Sequence, residues 1–119
     1  MKLEENNTKI TIGNDCMFSY GISMRTTDGH AIYDINTKQL LNSGRDIIIG
    51  NHVWIGYGVT VLKGSVIADN SVVAAKSLVN KIFEENNVIV GGHPAKVIRH
   101  NIGWSRKTPY DFIKQQNNI

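Results

Sequence analysis

The sequence predicts an all-β fold, a parallel β-helix of six-residue units with one extended loop and a short C-terminal helix. Three observations carry this. Aliphatic residues recur every sixth position, the neighbouring position is small, and the period breaks once, in a polar stretch rich in turn residues.

The aliphatic anchors are Ile12, Phe18 and Met24, then Ile49, Ile55, Val61, Ile67, Val73 and Val79. The residue after the anchor is often small (Gly13, Ser19, Gly50, Gly56, Ala68, Ala74). The fourth residue after it is small or β-branched (Cys16, Ile22, Val53, Val59, Ser65, Ser71, Ser77). An amphipathic strand alternates with period two and a helix with period near 3.6, and residues 47–79 fit neither. A short strand and a tight corner, repeated three times, close a triangular coil in which each anchor points inward and stacks on its copy one coil later. Small residues let the corners turn. Each coil touches only its neighbours, and the flat sides of one prism suit those of another copy, so a homotrimer is the natural assembly. Cys16, the lone cysteine, falls on an inward position and serves as a small core residue.

The 119 residues suit one domain, 1–119. With 41% apolar and 19% charged residues the chain can bury a core, which excludes a disordered chain. No eighteen apolar residues run together and MKLEENNTKI lacks an apolar segment behind its charges. A membrane span and a secretory leader are therefore not expected, and the cytoplasm is the default compartment. The formal charge of +3 is mild and the basic residues are not interleaved with aromatics, so nucleic acid is not an expected partner.

The period is lost over residues 25–46, with turn signals at Asp28-Gly29 and Ser43-Gly44, which reads as a loop thrown out from the coil. A long loop inside a strict solenoid is usually functional. This one holds His30 between Asp28 and Asp34. Histidine exchanges its proton near neutral pH, and Asp28 is the candidate carboxylate to hold its tautomer. The bland alternative is a turn whose histidine faces water. His52, between two anchors on a strand surface, and His93 and His100, in the C-terminal exit, rank below His30.

After Val79 the coil loosens. A Gly91-Gly92-His93-Pro94 turn leads to Lys96 and Arg99, which can both face a phosphate or simply form a solvated face. Thr108-Pro109-Tyr110-Asp111 has the cap residue, first-turn proline and early acid of a helix start, predicting a short helix over 109–116 within a C-terminal arm, 100–119.

Three segments, IGNHVWIG (49–56), VVAAKSLV (72–79) and GGHPAKVIR (91–99), closely resemble the hexapeptide-repeat acyltransferases, over about residues 9–106. DGHAIYD (28–34), followed by NIGWSR (101–106), is most similar to the bacterial sugar O-acetyltransferases that decorate capsular and lipopolysaccharide glycans. The resemblance implies a left-handed β-helix and a trimer with active sites in clefts between prisms. It also implies acetyl-CoA as acetyl donor, a sugar hydroxyl as acceptor and no metal. His30 matches the loop histidine that acts as general base. Trp54 and Tyr57 match positions lining the pantetheine path, the backbone at Ala75 binds its amides, and Asn80 and Lys81 lie farther along. Lys96 and Arg99 match basic positions near the nucleotide phosphates. A backbone amide near Gly58 is the expected oxyanion donor.

The chain departs from the family pattern where Asn80 replaces a common threonine and Ile82-Phe83-Glu84-Glu85 replaces a proline-rich turn. Gly92-His93 stands where Gly-Asn is usual, and only nine residues precede Ile10, where relatives have further coils or a helical segment. The same scaffold also supports amino-sugar N-acetylation and a non-catalytic trimeric scaffold. A zinc enzyme that hydrates carbon dioxide would need histidines clustered on successive coils, which the sequence lacks.

Overall fold

A computed structural model describes residues 7–117. The strands are β1 (Ile10–Ile12), β2 (Met17–Phe18), β3 (Ser23–Met24), β4 (Ile47–Ile49), β5 (Trp54–Ile55), β6 (Thr60–Val61), β7 (Val66–Ile67), β8 (Val72–Val73), β9 (Leu78–Val79), β10 (Ile82–Phe83), β11 (Ile89–Gly92) and β12 (Ala95–Arg99). One helix follows, α1 (Pro109–Asn117).

They stack into three sheets, with orders β1-β4-β7-β10, β12-β11-β8-β5-β2 and β3-β6-β9. All pairings are parallel except β11 with β12. From β1 to β11 consecutive strands belong to different sheets, so each sheet is one side of a triangular prism, and β12 folds back on β11. The parallel β-helix expected from the six-residue period is borne out, and its hand is left.

The register explains the period. Ile48 pairs with Val66, Trp54 with Val72 and Thr60 with Leu78, one coil apart each time. Every inward anchor therefore lies under its copy. Met24, Ile49, Ile55, Val61, Ile67, Val73 and Val79 are all buried. Ile12 is 38% exposed because the first described coil is stacked on one side only. Cys16 is partly buried against this core, as expected.

Corners demand unusual backbone. His52, Asn70, Lys76 and Asn87 turn them with φ between 52° and 63°, a region costly for most residues but tolerated by asparagine. Glycine serves where coils nearly touch. A Cβ on Gly56 would lie 2.8 Å from the Ala75 nitrogen and 2.9 Å from the Val73 oxygen, so no side chain fits there. Inward serines stay paired: Ser65 Oγ donates to the Val79 carbonyl, and Ser77 Oγ accepts the Gly92 N–H. This meets the requirement that buried polar groups be hydrogen-bonded.

Between the first two coils the spacing widens, with Met17 pairing with Trp54 and Ser23 with Thr60. Arg25 still donates its N–H to the Val61 carbonyl, Thr26 and Thr27 are buried, and the Arg45 N–H returns to the Thr26 carbonyl. The excursion thus leaves the coil after Thr27 and rejoins it at Arg45. α1 begins where the cap signal lies: the Asp111 N–H donates to Thr108 Oγ1 at 3.1 Å. None of its described side chains is buried.

Candidate active site

The loop carries its own small hairpin. Tyr33 and Leu40 form an antiparallel bridge, and the Leu41 N–H donates to the Ile32 carbonyl at 2.7 Å. At its tip the Asp34 carboxylate accepts the N–H groups of Asn36 and Thr37 at 2.8 and 2.9 Å. The Thr37 N–H, then that of Asn36, holds the Asp34 carboxyl below the usual carboxylate range.

The base of the loop is tied to the prism. Lys63, on the corner after β6, donates to Asp28 Oδ2 at 2.8 Å, and Asn42 Nδ2 donates to the same oxygen at 3.0 Å. The Lys63 hydrogen bond, then that of Asn42, holds the Asp28 carboxyl below its ordinary value. Among the described residues the His30 ring, which is exposed, makes no hydrogen bond. The expected pairing of Asp28 with His30 is therefore replaced by one with Lys63, whose ammonium is the stronger partner for a carboxylate.

A second group of residues forms a groove on the sheet that holds β5. Trp54 is half-buried there, with the Trp104 ring 5.9 Å away, and the groove encloses about 590 Å³ between them and α1. Phe112 and Ile113 of α1, with Pro109 and Lys107, complete the lining. Trp104 is held by His52. The two rings stack, His52 Nε2 lies 3.2 Å from the Trp104 carbonyl, and Trp104 Nε1 donates to the His52 carbonyl. Asp15 Oδ2 meets His52 Nδ1 at 2.8 Å, and Asp15 Oδ1 accepts from Arg106 at 2.8 Å. The His52 hydrogen bond first, then the Arg106 charge, hold the Asp15 carboxyl low. His52 is thus a corner residue with φ 52° clasping the arm, and not a strand residue.

The other expected positions are spread along the prism. Tyr57 packs edge-on against Tyr20, with Lys76 Nζ 4.7 Å over its ring. The Gly58 N–H donates to the Tyr20 carbonyl at 3.1 Å, so Gly58's own amide is bonded within the coil. Ala75 is exposed at the adjoining corner, next to Gly56. Asn80 and Lys81 are exposed where β9 passes to β10, with Lys81 Nζ 5.5 Å over the Phe83 ring. Lys96 and Arg99 are exposed on β12. His100 pairs with Glu85. Among the described residues no three His, Cys, Asp or Glu gather as a metal site, and no helix is long and apolar enough to cross a membrane.

One prism does not bring His30 and Trp54 together. The loop springs from the corner between the sheets of β3 and β4, whereas Trp54 stands on the sheet of β5, and His30 is not among the groove's lining residues. Sequence reasoning missed Asn42, Lys63, Asp15 and the clasping role of His52. Asp15 and Arg106 are 91 residues apart, and nothing local marks them as partners.

Comparison with known proteins agrees with this architecture. Residues 46–81 match the family described as bacterial transferase hexapeptide (six repeats). A polysialic acid O-acetyltransferase of Neisseria meningitidis is 47% identical over 107 residues, covering 87% of this chain and 50% of that protein. One from Escherichia coli O1:K1 / APEC is 38% identical over 104 residues, covering 87% of this chain and 34% of that protein. Among solved structures, the polysialic acid O-acetyltransferase OatWY superposes with a TM-score of 0.81 at 44% identity, over 91% of this chain and 53% of that one. The chain thus spans half or less of the length of these curated relatives. Its residues 46–81 are hexapeptide repeats of the bacterial transferase type, and the chain is a hexapeptide-repeat left-handed β-helix that resembles the capsular sugar O-acetyltransferases.

Proposed function

We propose that this chain transfers the acetyl group of acetyl-CoA to a hydroxyl of a surface polysaccharide, with an acidic sialic-acid polymer as the first acceptor to test. The observation that carries the proposal is a single histidine, His30, presented on a loop whose base is fixed to a hexapeptide prism. The 47% identical relative named for polysialic acid O-acetylation supports the acceptor class.

In this reading His30 removes the proton of the acceptor hydroxyl as that oxygen attacks the thioester carbonyl, and returns it to the departing thiolate of coenzyme A. The acetyl C–S bond breaks and an ester C–O bond forms, with no other reactant. Asp28, ion-paired with Lys63, fixes the base of the loop that carries His30. The groove walled by Trp54 and Trp104 is apolar and suits the pantetheine arm. Tyr57, Ala75, Lys96 and Arg99 are assigned to the rest of the cofactor path, and Asn80 and Lys81, on the prism corner from which the His30 loop springs, to its contact with a neighbouring copy.

His30 lies on the loop between the sheets of β3 and β4 and Trp54 on the sheet of β5, which supports a site shared with a neighbouring copy, and the working unit is proposed to be a homotrimer. The reaction is assigned to the cytoplasm, where acetyl-CoA is made. The test is incubation with acetyl-CoA and polysialic acid, followed by mass spectrometry of the glycan. O-acetyl esters support the reading, and coenzyme A release with no acetylated sugar contradicts it. Co-assembled chains, half carrying His30→Ala and half Trp54→Ala, regain activity if sites are shared between copies and stay inactive if they are not.

A further inference from the structure

We propose that Asn42 is the positioning residue for His30, through a carboxamide that holds the backbone at and after the histidine and the Asp28 carboxylate before it. This rests on His30 being the base. Asn42 Oδ1 accepts the Ile32 N–H at 2.7 Å, while Nδ2 donates to the His30 carbonyl at 2.8 Å and to Asp28 Oδ2 at 3.0 Å. One side chain therefore grips residues 28, 30 and 32 of an otherwise exposed segment, and is itself partly buried. Lys63, 2.8 Å from Asp28, extends the grip to the prism.

The geometry needs a carboxamide. The Ile32 N–H requires an acceptor, while the His30 carbonyl and the Asp28 carboxylate require donors, and among uncharged side chains of this length asparagine supplies both. Aspartate would keep the first bond, lose the other two and set a second carboxylate against Asp28. The loop hairpin, by contrast, is closed by backbone bonds of Ile32, Tyr33, Leu40 and Leu41 and by the Asp34 turn, none of which uses the Asn42 side chain. Losing the carboxamide should loosen the aim of His30 while leaving the hairpin and prism formed. Displacements of about 1 Å at a reacting group cost roughly a hundredfold in rate.

The test compares Asn42→Ala and Asn42→Asp with the unaltered chain in acetyl transfer to polysialic acid, alone and combined with His30→Ala. Both variants are expected to lower kcat at least tenfold, with KM for acetyl-CoA changed less than twofold, and to add no further loss to His30→Ala. Multiplying losses in the double variant, or an unchanged kcat in Asn42→Ala beside an inactive His30→Ala, overturns the role of Asn42. Full activity of His30→Ala overturns the base assignment instead. Hydrogen exchange of the Ile32 amide, a measurement that needs no glycan substrate, checks the same geometry. Exchange at least tenfold faster in Asn42→Ala supports the grip, and unchanged exchange overturns it.

Discussion

The imidazole of His52 lies flat on the indole of Trp104, with ring centroids 3.9 Å apart and planes 10° from parallel, and each ring meets the other's backbone carbonyl. This reciprocal contact ties a corner of the second coil to the exit arm. Arg106, bound to Asp15, tightens the same junction from the first coil. The groove beside Trp54 has a second wall because this clasp holds Trp104 in place.

Replacing His52 by alanine should therefore free the arm while leaving the prism folded. The change removes the stacking and the ring's hydrogen bonds to the Trp104 carbonyl and Asp15, together about 1–2 kcal/mol, while the bond from Trp104 Nε1 to the residue-52 backbone carbonyl remains available. Limited proteolysis should cut residues 100–108 several-fold faster in His52→Ala. His52→Asn, which tolerates the left-handed corner, should show similar cutting and separate the clasp from backbone strain.

Asp15 and Asp28 both have carboxyl groups held below their unfolded value, by His52 and Arg106 in one case and by Lys63 and Asn42 in the other. Groups depressed in this way add stability that is fully present above the unfolded value, about 4, and lost as pH falls through the folded value. Acidification below about pH 4 should therefore weaken both the arm clasp and the loop anchor. Asp28→Asn should flatten the loop's share of that dependence, as read from Ile32 amide exchange corrected for its intrinsic pH dependence.

Core anchors should differ by their place in the stack. Ile55 is wholly buried between coils, and Ile55→Ala should cost about 3 kcal/mol. Ile12, 38% exposed on the first described coil, should cost under about 1 kcal/mol on the same change. Urea midpoints of the two variants measure the difference.

The prism was legible in the sequence because a coil of fixed length repeats the same environment at Ile49, Ile55 and Val61 and again at Ile67, Val73 and Val79. Six-residue spacing is a direct image of that stacking. The loop and helix were legible for local reasons: Asp28-Gly29 breaks the period and Thr108-Pro109 starts a helix. The junctions were not. Lys63 reaches Asp28 across 35 residues and His52 reaches Trp104 across 52, and the inserted loop hides which corners become neighbours. Asp28 beside His30 in sequence suggested a pair, but a lysine brought close by the fold took the carboxylate. An oxyanion donor was expected near Gly58, and the sequence could not show that Gly58's own N–H is bonded to Tyr20 of the preceding coil.

The most direct measurement of the central claim is the acetyl-transfer rate of His30→Ala, with acetyl-CoA binding followed by calorimetry on the same preparation. With His30 as the proposed general base, its loss should lower kcat by about a hundredfold or more while acetyl-CoA binds as before. A His30→Ala chain that acetylates the glycan at the unaltered rate would contradict the account.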